Sequence, residues 1–137
     1  MDYDNKTSSL ILQNRYLIAL LSTKKLAFSA YLVRDILIVE RSQILALPFY
    51  DAACLGIYHY QNEIVPLVSV EKILGTTENK VLRSTLTAVR LNKSAEHLAG
   101  VAIVVDRMER SLAAEELSQE HQFQLSDIPQ QIWQPQR

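Results

Sequence analysis

Residues 55–75 read LGIYHYQNEIVPLVSVEKILG. Leu55–Tyr60 and Glu63–Val68 are runs rich in Ile, Val and Tyr, which suit a pleated, half-buried strand. Only Gln61 and Asn62 separate them, the loop length of a tight hairpin. Such a turn needs positive φ at its second position. Asn62 suits it best after glycine, because its short polar side chain tolerates the left-handed region. Pro66 has no N–H to donate, so the second strand must have an unpaired position there or lie at a sheet edge. Val70, Ile73 and Leu74 then fall at helical spacing, and Gly75 is placed to stop the turn. A hairpin running into one helical turn predicts a β-rich domain.

Working outward, Arg15–Leu21 is an apolar strand core, Thr23–Lys25 a polar turn and Leu26–Ser29 the answering strand. A helical turn is expected around Ala30–Arg34, followed by a β-branched run through Val39. Gln43–Leu47 is a short apolar run closed by Pro48. Thr85–Leu91 alternates polar and apolar residues as a half-buried strand does. Asn92–His97 is a polar loop. Leu98–Val105 is a continuous apolar run and predicts a central strand in which at most one of Ile103, Val104 and Val105 is exposed. Asp106–Arg110 (DRMER) mixes charges and is expected as a solvated turn, with helix over Ala113–Gln119. Residues 1–9 are expected as a flexible tail, Thr76–Lys80 as a polar linker, and residues 122–137 as a Gln-rich segment that docks on the domain or stays loose.

The chain has 137 residues, 14 Lys and Arg against 15 Asp and Glu, three histidines and one cysteine. That length suits one domain with a real core. A net charge of −1 argues against a nucleic-acid partner or an anionic membrane held by bulk electrostatics. Cys54 alone cannot form an internal disulfide, the N-terminus lacks the pattern of a signal peptide, and no apolar run is long enough to span a bilayer. A cytoplasmic location is the expectation. His59, His97 and His121 lack metal-site spacing from one another and from Cys54. Three glycines leave no room for a phosphate-cradling loop. Cys54 among Ala53, Leu55 and Gly56 reads as a small buried hydrophobe rather than a nucleophile. Neither an enzyme nor a cofactor site is expected. The aromatic group Phe49, Tyr50, Tyr58 and Tyr60 suits core packing or an amphipathic contact surface.

Placed in order, these segments resemble the CheW-like chemotaxis coupling domain. The family's core, P-x(7)-G-V-x-N-L-R-G-x-x-x-P-V-x-D-L-x-x-x-L-G, has counterparts in Pro48, in Gly56–Asn62, in Val65–Val70 and in Leu74-Gly75. Leu26–Ser29 and Val33–Ile36 are similar to its upstream strand and turn. Val101–Met108 is similar to its V-G-L-L-V-D-x-V strand, and Leu112–Leu117 stands where it has L-x-x-E-x-I. The resemblance implies an all-β fold of two small SH3-like five-stranded barrel lobes, with residues 10–121 as the domain. It implies a non-catalytic adaptor that couples a CheA-type histidine kinase to the cytoplasmic tip of a chemoreceptor or to a pilus-motility regulator. It also places the partner contacts at Val33, Ile36, Tyr58, Tyr60, Gln61 and Asn62.

Three features depart from the pattern. Gln61 stands where the family has an arginine, and Ser69 where it has an aspartate. No final hairpin is seen after Leu117, so the second lobe is expected to be incomplete unless Gln122–Trp133 or a partner covers its open edge. A shortened paralogue that binds kinase or pilus-regulatory proteins without a receptor, and an unrelated small-barrel binding module, are the alternatives.

Overall fold

The computed structural model describes residues 14–73 and 83–135. The expected N-terminal tail, the Leu74-Gly75 stop and the linker at Thr76–Lys80 lie outside them. Among the described residues, nine strands fall into two sheets. The first sheet has the order β8-β1-β2-β9, with β1 at Arg15–Leu21, β2 at Lys24–Ser29, β8 at Arg107–Ala113 and β9 at His121–Gln122. The second has the order β3-β6-β7-β5-β4, with β3 at Val33–Glu40, β4 at Cys54–Tyr60, β5 at Glu63–Ser69, β6 at Thr85–Leu91 and β7 at Ala102–Val105. Among the described residues, α-helix is confined to α1, Val70–Ile73, with short 3-10 turns elsewhere. The all-β expectation and its two lobes are found, and among the described residues one sheet has the expected five strands and the other four.

The five-stranded sheet rolls up on itself. Beyond β3 the chain turns, and Leu45 makes an antiparallel bridge with Ile57 of β4. The Leu45 N–H donates to the Ile57 carbonyl at 2.9 Å, and the Ile57 N–H donates back at 3.0 Å. This joins the two ends of the sheet. It also explains Pro66, which lies opposite Ile57 in a strand that is not at an edge. Since the hydrogen-bonding groups of Ile57 face Leu45, Ile57 and Pro66 form a non-bonded pair, and the missing N–H of Pro66 would face β7. Pairing of β5 with β7 begins only at Leu67, so no ladder bond is lost.

Alternation then gives the barrel sheet two apolar faces. Leu37, Val39, Val65, Leu67, Ala88 and Ala102 fill the interior. The outward-facing Val68, Val89, Leu91, Ile103 and Val105 pack on Ala19, Leu21, Leu26 and Phe28 of the four-stranded sheet. As a central strand, β7 buries Ile103 and Val105 and leaves Val104 half-buried. The Gln-rich segment docks on the domain: Phe123, Ile128 and Ile132 enter the inter-sheet core, and the Phe123 ring lies 5.0 Å from that of Phe28. In passing, β9 pairs in parallel with Leu26 and Ala27 and so covers part of the open edge of β2.

Two local expectations are overturned. DRMER is not a turn, because β8 starts at Arg107 and pairs with β1 through a register shift at Ile18/Ala19. Its charges decorate an outermost strand, where they discourage edge-to-edge association. Asp106 just before it accepts the backbone N–H of Ser22 at 2.7 Å and so ties the strand start to the β1–β2 turn. The helix expected over Ala113–Gln119 shrinks to a 3-10 turn at Ala114–Glu116, since the strand itself runs to Ala113.

Candidate functional site

The β4–β5 hairpin turns at Gln61 and Asn62, as expected, although both residues take positive φ, 48° and 65°. Two left-handed residues give the turn whose twist matches the flanking strands. Across the mouth of the barrel lies the start of β3. Asp35 shares the inward phase of Leu37 and Val39, Arg90 that of Ala88, and Tyr60 and Glu63 that of Val65. Four inward positions at the same end of the barrel therefore carry polar groups rather than aliphatic ones.

These groups satisfy one another. The Arg90 side chain is 2% exposed. Its Nε and Nη2 donate to the two oxygens of Asp35 at 2.8 and 2.6 Å, and its Nη1 donates to Glu63 at 3.2 Å. Its guanidinium lies 5.2 Å from the centroid of the Tyr60 ring, and Tyr60 stacks on Tyr58 at 6.2 Å. Arg34 completes the group from outside, donating to both Glu63 oxygens at 3.0 and 3.2 Å. A planar fork suits such bidentate pairing, and a buried charge needs every one of these partners. The Arg90 hydrogen bonds hold the Asp35 carboxyl below its usual range against a smaller opposing effect of burial. Glu63 is lowered chiefly by Arg34, and Arg90 is raised chiefly by Asp35.

A pH dependence follows from the sign of these shifts. Asp35 binds its proton less readily folded than unfolded, so its contribution is complete above the ordinary carboxylate value, about 3.9. It is lost as pH falls through the lower folded value. The urea midpoint is expected to drop on acidification below about pH 4, and Asp35→Asn to flatten that drop. An unchanged slope in Asp35→Asn would show that other carboxylates dominate.

Of the residues singled out from the sequence, Tyr58 and Tyr60 are half-buried against the barrel interior, and Gln61 and Asn62 are exposed at the hairpin tip. Ile36 is exposed on the outward phase of β3, whereas Val33 is half-buried and packs against the inter-sheet core. The Arg34–Glu63 pair brings the start of β3 to the hairpin, so the two sequence-derived halves of the site are neighbours. Sequence reasoning missed Arg90. The guanidinium beside this hairpin comes from β6, not from position 61.

A second feature lies on the outer face of the same hairpin. Leu45, Ile57 and Pro66 stand in one cross-strand row, and Ile64 stands opposite His59 in the next. Leu45 is 64% and Ile64 66% exposed. Among the described residues no group of His, Cys, Asp and Glu could hold a metal, and no helix is long and apolar enough to cross a membrane. Cys54 is buried, and burial raises its thiol pKa.

No curated protein sequence matches the chain. Among solved structures it is similar to the scaffolding protein TtCheW from Thermoanaerobacter tengcongensis, with a TM-score of 0.59 and 13% identity over 76% of this chain and 67% of that one. At that identity the likeness speaks for the fold. The model of the CheW-like domain matches residues 15–134, from the first strand through the C-terminal segment packed into the core, and the chain belongs to the CheW-like domain family.

Proposed function

We propose that this protein is a non-catalytic signalling adaptor in a chemotaxis-like two-component system. It couples a CheA-type histidine kinase to a chemoreceptor or a pilus-motility regulator. Family membership supports the adaptor class. The observation that carries the docking role is the outer apolar patch in which exposed Leu45 and Ile64 flank half-buried Ile57 and Pro66. Large aliphatic side chains left in water next to one another mark a contact surface. A rigid sheet carries them, so little ordering is needed to bind. The kinase's regulatory domain is the partner assigned to this face, and co-elution of the two proteins in gel filtration is the first test.

The hairpin tip is the proposed receptor contact, and Gln61 makes it a weak one. An arginine would offer a permanently charged fork in place of a neutral amide. Hydrogen bonds to charged groups are worth about 1.5–3 kcal/mol against roughly 1 for neutral ones. Gln61→Arg is therefore expected to strengthen binding of a receptor-tip fragment severalfold in a calorimetric titration. No gain, with folding intact, would favour the alternative of an adaptor that binds kinase or pilus-regulatory proteins without a receptor. That reading draws its support from Gln61 and from Arg90, whose guanidinium is already taken up by Asp35 and Glu63.

A further inference from the structure

Beside the barrel mouth, Arg34, Glu63, Asn92, Lys93, Ser94 and Gly100 line an open depression of about 530 Å³. Its charges are unevenly committed. The Arg34 side chain is 46% exposed and forks onto Glu63. Glu63 is shared, because Arg90 reaches one of its oxygens from inside the barrel at 3.2 Å. Lys93 has no ion pair among the described residues. With Arg90 and Asp35 behind the wall, three cations face two carboxylates.

We infer that this depression is a binding site for an acidic side chain presented by a protein partner. Arg34 exchanges Glu63 for the incoming carboxylate, and Lys93 and Ser94 line the same depression. The exchange costs little for two reasons. An exposed ion pair contributes little to stability, so releasing Arg34 from Glu63 is cheap. Glu63 is not stranded either, since the buried Arg90, held by both oxygens of Asp35, continues to neutralise it. The incoming carboxylate gains a planar fork and a free ammonium, a combination suited to an anion and hostile to a basic segment. Which partner supplies the acidic segment rests on the adaptor reading above, whereas the preference for a carboxylate rests on Arg34, Glu63, Arg90 and Lys93 alone.

The test therefore uses neither kinase nor receptor. In a two-dimensional amide NMR titration at low ionic strength, a capped oligoglutamate peptide is added to the full chain, with a capped oligoglutamine peptide in parallel. Oligoglutamate is expected to shift the amides of Arg34, Asn92, Lys93, Ser94 and Gly100, and oligoglutamine to leave them in place. Arg34→Gln and Lys93→Gln should each weaken oligoglutamate binding, by roughly threefold or more. Glu63→Gln should tighten it, because it frees Arg34, whereas a purely structural role for Glu63 would leave binding unchanged or weaker. Melting curves confirm that each variant is folded. Arg110→Gln, in a separate depression lined by Lys24, Lys25 and Glu120, should have no effect. Shifts centred on that second depression, equal shifts with oligoglutamine, or weaker binding in folded Glu63→Gln would each overturn the proposal.

Discussion

Gly56→Ala is expected to destabilise the protein by about 3 kcal/mol or more, with a melting temperature lower by roughly 10 °C. Gly56 has φ 138°, in a region L side chains rarely adopt, and it sits at the register shift of β4. A Cβ built there would stand 2.2 Å from the Leu45 carbonyl oxygen and 2.8 Å from its carbon. The obstacle is backbone, and that backbone makes the bridge to Ile57 that closes the barrel. The chain can accommodate a methyl only by moving Leu45 away, which breaks two hydrogen bonds and opens the interior around Leu37, Val39 and Val65. Amide hydrogen exchange should show this as lost protection at Leu45 and Ile57, with the β1–β2 pair less affected. A melting temperature within about 2 °C of the parent would show that the closure is dispensable.

Arg90→Ala comes next, at about 2–4 kcal/mol. Removing one partner of a buried ion pair typically costs about 3–5 kcal/mol, because the other charge is stranded. The Asp35 side chain is 38% exposed, so water screens part of that loss. Alanine also removes the aliphatic stem of a side chain that is 2% exposed, and with it the packing that stem provides. Arg90→Met keeps the stem and should cost less. Pairing Arg90→Met with Asp35→Asn should recover part of the loss, since neither charge is then left without its partner. Strict additivity of the two substitutions in urea denaturation would mean that Asp35 and Arg90 are not coupled.

The legible parts of the fold were those where burial imposes a period. Thr85–Leu91 alternates at its start because Leu86 and Ala88 turn into the barrel while Thr85 lies exposed, and Glu63–Ser69 reads as an apolar run of strand length. The two-residue turn at Gln61-Asn62 leaves the chain little choice but a hairpin. Arg107–Ala113 hid its strand because an outermost strand, bonded among the described residues to β1 alone, is free to carry charge on its open side. The C-terminal segment hid its docking because Phe123, Ile128 and Ile132 reach the core from irregular turns, with no period to betray them. At the candidate site, Val33, Ile36 and the hairpin residues were singled out through the family pattern, but the ion network was not. Its signal was present: Arg90 has the same phase as Ala88 and Leu86 in an alternating strand, which points a guanidinium inward. A cation at an inward position demands carboxylates at the same end of neighbouring strands, and Asp35 and Glu63 supply them. What the sequence could not show is that β3, β5 and β6 meet there, since that depends on closure through Leu45.

The most direct test of the adaptor account is a calorimetric titration of the full chain with the regulatory domain of a CheA-type kinase, run with the parent and with Ile64→Asp. The account predicts a saturable complex with a negative heat-capacity change, as burial of apolar surface requires. It also predicts little sensitivity to salt and loss of binding when a charge is placed in the Leu45–Ile57–Pro66–Ile64 face. No complex with the kinase domain, or a complex that Ile64→Asp leaves intact while added salt dissolves it, would contradict the account.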